Sequence, residues 1–182
     1  VIKNPSTNHP TETRTPIPNF FIIGAPKCGT TSLSEYLRTH PNIFFSTPKE
    51  PFYFNTDFDN PGRADRAHYL GLFQNADPKV HRAIGEGSTL YLYSETAVPS
   101  ILEFNPSAKF IVMLRSPVDF LVSMHGQAMR NGQENIEDLQ EAWLAEKDRK
   151  MGRRIPIGCR NPKDLFYSEL ASFGRQIERL FS

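Results

Sequence analysis

Lys27 lies between Gly24 and Gly29 in the run Phe20-Phe21-Ile22-Ile23-Gly24-Ala25-Pro26-Lys27-Cys28-Gly29-Thr30-Thr31-Ser32-Leu33. A lysine inside a glycine-bounded loop, followed at once by hydroxyl side chains, is chemistry for an anion. Backbone N–H groups of such a loop and the N-terminus of a following helix converge on one spot, which is how a protein holds a phosphate. Gly24 and Gly29 keep the spacing of the phosphate loop Gly-x-x-x-x-Gly-Lys-Ser/Thr. One position departs from it. Thr30 stands where the lysine of that loop belongs, and the lysine is Lys27, inside the loop. Its ammonium would lie nearer the anion's terminal group or the oxygen bridging to it. Thr30, Thr31 and the N–H groups of Gly29 to Thr31 would hold the remaining oxygens.

A second pair of anion-binding types comes later. Arg115 ends an apolar run, and Ser123 follows eight residues on, about two turns into the next helix. A guanidinium and a hydroxyl approaching one pocket suit a second phosphate. Taken alone, Arg115 reads as well as a salt-bridge residue and Ser123 as an ordinary helical serine.

These residues need a scaffold, and the apolar patterning supplies one. Phe20–Ile23 is a continuous apolar run, as a buried parallel strand requires. Ile43–Phe45, Arg82–Glu86 and Lys109–Leu114 read as further strands. Helices are predicted over Thr30–Thr39, Asp65–Phe73, Ala97–Phe104, Pro117–Met129, Ile136–Lys150 and Lys163–Phe181, the last with a break at Gly174. Pro41 and Asn105-Pro106 stop two of them, and Pro117 suits a first helical turn. Strands alternating with helices predict an α/β fold: a three-layer parallel sheet with flanking helices, like that of P-loop NTPases. Ligands of such sheets sit at the carboxyl ends of the strands, where Gly24, Glu86 and Arg115 fall.

The totals set bounds. The 182 residues suffice for one domain with a core, and the net charge of +1 gives no argument for bulk binding to nucleic acid or to a membrane. No apolar run is long enough to span a bilayer. Cys28 and Cys159 lack metal-ligand spacing and read as free thiols, which points to a reducing, cytoplasmic setting. Residues 1–18 are polar and proline-rich and read as an N-terminal arm, with the folded domain over 19–182.

Together the two anion-binding elements resemble the sulfotransferase family that uses 3′-phosphoadenosine 5′-phosphosulfate. Pro26-Lys27-Cys28-Gly29-Thr30-Thr31-Ser32-Leu33 looks like that family's 5′-phosphosulfate loop. Leu114-Arg115-Ser116-Pro117-Val118-Asp119-Phe120-Leu121-Val122-Ser123 looks like its 3′-phosphate element. Ser46-Thr47-Pro48-Lys49-Glu50-Pro51-Phe52-Tyr53-Phe54 and Gly85-Glu86-Gly87-Ser88-Thr89-Leu90-Tyr91 resemble segments of the heparan-sulfate and bacterial branch. The resemblance covers roughly residues 18 to 130 and implies the following. Lys27, Cys28, Gly29, Thr30, Thr31, Ser32, Arg115 and Ser123 hold the donor. Glu50 is the general base, Lys27 stabilises charge on the bridging oxygen, and Lys49 assists or orients Glu50. An acceptor hydroxyl or amine, on a glycan for instance, attacks the sulfur in line, and adenosine 3′,5′-bisphosphate leaves. No metal is implied, and no aspartate-rich strand end stands out. An anchor removed upstream of Val1 would suit the lumenal face of the Golgi instead of the cytoplasm.

Histidine is the base in the cytosolic branch, but His68 and His125 lie in no matching motif, and His125 reads as a helix-surface residue. Glu50 taken alone reads as an exposed loop carboxylate. Two departures stand out. Gly87 occupies a position usually held by lysine in heparan-type enzymes. The family also continues with another strand and a basic loop, so the domain is expected to be incomplete at its C-terminal end. Arg149, Lys150, Arg153 and Arg154 read as a solvated helix end, or as a guide for anions. Phe52, Tyr53 and Phe54 read as core or acceptor-pocket residues, and Trp143 as a packing residue. Two other readings remain. A P-loop kinase or nucleotidase would need a lysine at position 30 and a metal-binding aspartate. A nucleotide-binding module without catalysis would keep the loop alone.

Overall fold

Both faces of the first apolar run are covered, which is why it carries no alternation. In strand β1 (Phe20–Gly24) every residue is buried. Phe21 and Ile23 point into an aromatic cluster with Phe54, Tyr69, Phe73 and Tyr91. Phe20 and Ile22 point the other way, onto Phe45, Leu33 and Leu37. The protein is described by a computed structural model over residues 16–59 and 63–182. The arm read over residues 1–18 lies almost wholly outside the described residues.

Strands β2 (Ile43–Phe45), β3 (Ala83–Gly87) and β4 (Lys109–Val112) join β1 in one parallel sheet of order β2-β3-β1-β4. Helix α1 (Thr30–Arg38) covers one face through Leu33 and Leu37. Helices α2 (Arg66–Gly71) and α3 (Ala97–Phe104) cover the other through Tyr69, Ala97 and Ile101. This is the three-layer α/β sheet expected from the alternating pattern. The β1-to-β2 and β3-to-β4 crossovers run in opposite directions across the sheet. A crevice therefore opens at the carboxyl ends of β1 and β3, the position where such sheets hold ligands. Gly85 permits close strand packing, since a Cβ there would lie 2.3 Å from the Phe20 ring.

Helix α4 (Pro117–Arg130) starts at Pro117 as predicted and buries Phe120 against Ala25, Cys28, Leu170 and Phe173. The two later helices differ from the sequence reading. Ile136–Lys150 is not one helix: Asp138 caps α5 (Leu139–Leu144) by accepting from Glu141 N at 2.7 Å, and α6 (Glu146–Lys150) follows. The span 163–181 is a 3₁₀ turn at Pro162–Leu165, then α7 (Tyr167–Leu170), then α8 (Phe173–Phe181). The last break falls at Ala171–Ser172, and Gly174 is helical. Tyr167 and Leu170, at the two ends of α7, are buried in different clusters, and Phe173 of α8 joins Leu170 in the second.

The basic cluster is also corrected. Arg149 is not solvated: its side chain is fully buried and meets Glu134, equally buried, at 2.7 Å. Burial alone would raise the Glu134 pKa, but the Arg149 hydrogen bond and the N–H groups of Ile136 and Asn135 outweigh it and hold it below the usual range. Trp143 is an exposed residue on α5. Among the described residues no helix is long and apolar enough to cross a membrane.

Candidate active site

The loop after β1 is pinned from beneath. Met113 N donates to Gly24 O, and Ala25 N donates to Met113 O, each at 2.8 Å. Ala25 and Cys28 turn their side chains into the core beside Phe120. The Cys28 side chain therefore belongs to the core and not to the crevice; burial pushes its thiol pKa up, partly offset by Arg115. Lys27 adopts φ 60, a left-handed conformation uncommon for a non-glycine residue and a common mark of function. Gly29, at φ 83, ends the loop as the N-cap of α1, and no side chain caps that helix. Its first N–H groups thus remain available to an anion.

A cavity of about 500 Å³ opens over this loop, and Lys27, Gly29, Thr30 and Thr31 line it together with Glu50 and Ser123. Residues from the loop and start of α1, from the segment after β2 and from the middle of α4, nearly a hundred positions apart, thus face one space. Arg115 is not among the residues that line it; it donates from Nη1 to Lys27 O at 3.3 Å and so braces the loop. Ser32 is exposed on the first turn of α1, away from the cavity lining.

Lys49 fills the place left by the displaced lysine. Its Nζ lies 3.0 Å from Thr30 Oγ1, 3.4 Å from Thr31 Oγ1 and 3.2 Å from Glu50 Oε1. A cation delivered from the β2 side therefore sits over the start of α1. Gly87 lies beside its stem: a Cβ there would sit in van der Waals contact with Lys49 Cε, at 3.4 Å, and 3.1 Å from the Phe45 ring. The glycine that departs from the family pattern is the surface along which the Lys49 stem runs.

Glu50 and Phe52 are also left-handed, at φ 63 and 49. Glu50 N donates to Gly87 O at 2.9 Å, and Thr89 Oγ1 donates to Glu50 Oε1 at 3.4 Å. Thr89 and Gln127 line the cavity and were not singled out by sequence reading. Gln127 lies one turn beyond Ser123 on α4, a spacing that could have found it. Glu86 is at a strand end as expected, yet it turns away from the crevice and is fully buried. His125 turns away from the cavity as read, but it is buried rather than exposed, with Nε2 2.8 Å from Ile136 O. His68 is exposed on α2. A larger cavity, about 1170 Å³, lies against α2 and α3 and contains none of the loop residues, so size alone does not mark the site.

Residues 18–151 match the family described as the sulfotransferase domain. A membrane-associated sulfotransferase, kil1, of Dictyostelium discoideum is 33% identical over 109 residues, covering 60% of this chain and 22% of the relative. Carbohydrate sulfotransferase 15 of Mus musculus is 34% identical over 148 residues, covering 59% of this chain and 26% of the relative. The crystal structure of a sulfotransferase from Alicyclobacillus acidocaldarius superposes with a TM-score of 0.77 at 30% identity, covering 91% of this chain and 68% of that one. The chain belongs to the sulfotransferase domain family. It spans about a quarter of the length of these curated relatives.

Proposed function

We propose that the domain over residues 19–182 transfers a sulfuryl group from 3′-phosphoadenosine 5′-phosphosulfate to a hydroxyl or amine of a carbohydrate acceptor. The observation that carries this reading is the shared cavity. Lys27, the Thr30 and Thr31 hydroxyls and the open N-terminus of α1 face Glu50 across about 500 Å³. One wall is built for an anion, and the other carries a carboxylate able to accept a proton.

In this reading the uncapped N–H groups of α1, with Thr30 and Thr31, hold the donor's 5′ end. Arg115 and Ser123 serve the 3′-phosphate. Cys28 and Ser32 contribute backbone donors of the loop. The acceptor oxygen or nitrogen attacks sulfur, the bond from sulfur to the bridging oxygen breaks, and adenosine 3′,5′-bisphosphate departs with that electron pair. Glu50 takes the acceptor's proton. Lys27 and Lys49 supply positive charge where the bridging oxygen becomes anionic. No metal is assigned a step.

Calorimetric titration tests the class. Adenosine 3′,5′-bisphosphate should bind and ATP should not; the reverse would sink the reading in favour of a nucleotide triphosphate enzyme. Glu50→Gln should keep bisphosphate affinity while transfer falls by about 10²–10⁴-fold, the usual worth of a general base. Undiminished transfer would remove Glu50 from the role. Binding without transfer to any of a panel of desulfated glycans would instead favour a nucleotide-binding module.

A further inference from the structure

Three consecutive backbone N–H groups follow the left-handed Glu50, and two buried hydroxyls take all of them. Phe52 N donates to Ser88 Oγ at 3.2 Å. Tyr53 N and Phe54 N donate to the Tyr91 hydroxyl at 3.0 and 3.3 Å. A hydroxyl that accepts in this way still has its own proton to place. Ser88 gives it to Glu86 Oε2 at 3.0 Å. The Tyr69 hydroxyl, from α2, approaches Oε1 at 3.4 Å, and the Tyr91 hydroxyl lies beside the same carboxyl and favours its charged form.

Glu86 thus stands at the root of a small network inside an aromatic core. It is fully buried and does not line the cavity, so it has no direct part in holding an anion. A carboxyl is costly to bury among aromatic rings, and an apolar residue would pack there without that cost. What the carboxyl supplies is direction. With an acceptor at Glu86, the Ser88 and Tyr91 lone pairs are turned toward the 52–54 backbone. Without it, the Ser88 and Tyr91 protons turn to other acceptors, and the lone pairs that the 52–54 N–H groups use are no longer aligned on them. The segment concerned includes Phe52, itself left-handed, and adjoins Glu50. Residues in that conformation persist only where their surroundings over-determine them.

We propose that Glu86 is a positioning residue for Glu50: through Ser88 and Tyr91 it clamps the backbone of Phe52–Phe54 and so holds the left-handed turn that presents the Glu50 carboxylate to the phosphate loop. The inference rests on the reading of Glu50 as the base; the clamp itself does not.

Amide hydrogen exchange in the whole 182-residue chain, read residue by residue by NMR, separates the two. Glu86→Gln keeps one acceptor and turns the other into a donor facing a hydroxyl. It should speed exchange at Phe52, Tyr53 and Phe54 by about tenfold relative to the β1 amides, as loss of a local hydrogen bond does. Ser88→Ala leaves the carboxyl in place and should speed Phe52 alone. In both variants adenosine 3′,5′-bisphosphate affinity should stay within about twofold, while kcat falls with an unchanged donor KM. The acceptor is whichever desulfated glycan the wild-type protein sulfates. Exchange at the three amides unchanged in both variants overturns the clamp. Faster exchange with unchanged kcat overturns the positioning of Glu50 and leaves Glu86 a structural residue. A wild-type protein that sulfates nothing defeats the functional reading, and with it Glu50 as the residue positioned, while the exchange rates still decide the clamp. If Glu86→Gln does not fold, Ser88→Ala carries the test at Phe52.

Discussion

Lys27, Glu50 and Phe52 hold left-handed backbone without being glycine, and Lys27 and Glu50 face the same cavity. Each such residue costs about 1–3 kcal/mol, so the site stores strain that the rest of the fold sustains. Lys27→Gly therefore has a two-sided outcome. Bisphosphate affinity should fall at least about tenfold, the loss of one charge-assisted contact. The urea midpoint should hold or rise, because about 1 kcal/mol of strain is relieved. A midpoint that falls together with affinity would mean that Lys27 supports the fold instead. Glu86 gives a second prediction. Burial is the largest effect on its carboxyl; Tyr91, Ser88 and Tyr69 oppose it by hydrogen bonding, Glu50 adds repulsion, and the pKa rises to about 7. Below the unfolded value of 4.5 both states are protonated and this group sets no pH dependence. As pH rises from 4.5 to about 7, the unfolded chain releases the proton and the folded chain keeps it, so stability is lost, by ~3 kcal/mol once above 7. The difference in unfolding free energy between wild type and Glu86→Gln, measured from pH 4 to 8, should shift across that window in favour of the variant. A flat difference would show that Glu86 ionises normally.

At the scale of elements, the strands were legible and the later helices were not. Phe20–Ile23, Ile43–Phe45 and Phe110–Val112 carry continuous apolar runs, as strands of a parallel sheet flanked by helices do, and in β1 both faces are covered. The helical patterns at 136–150 and 163–181 were real but were cut by caps and by core demands that spacing does not encode. Asp138 starts α5 two residues beyond Ile136, and the chain breaks between α7 and α8 while Leu170 and Phe173, on either side of the break, pack into one cluster. The Arg149–Glu134 pair holds this region together. Arg149 also approaches Ala142 O and Arg154 O at 3.4 Å, and Tyr167 donates to Glu134 Oε2 at 3.0 Å. Arg149→Met leaves a buried carboxylate without its cation and should destabilise the protein by about 3–5 kcal/mol in urea unfolding. Adding Glu134→Gln to that variant should recover part of the loss. No recovery would mean that Arg149 acts through packing alone.

Across the whole molecule, protection should follow position in the sheet. β1 is buried throughout and paired on both sides, whereas β4 stands at one edge of the described sheet with half-buried residues. Amides of Phe21–Ile23 should exchange only by global unfolding, and several of β4 by local opening. Equal protection in both strands would contradict that order. The site inherits this arrangement: its anion-binding loop springs from the strand that is buried throughout and paired on both sides. The residues that face this loop come from the segments after β2 and β3 and from the body of α4. By itself the sequence determined the loop, the strand before it, the Arg115–Ser123 spacing and the order of strands and helices, because each is written in neighbouring residues and short periods. Only the tertiary structure decided that Lys49 lies over the start of α1, that Glu86 and Arg149 are buried, and that Arg115 braces the loop through Lys27 O. Those outcomes depend on which distant side chains exclude water from a group and which offer it a partner, and no local spacing carries that information.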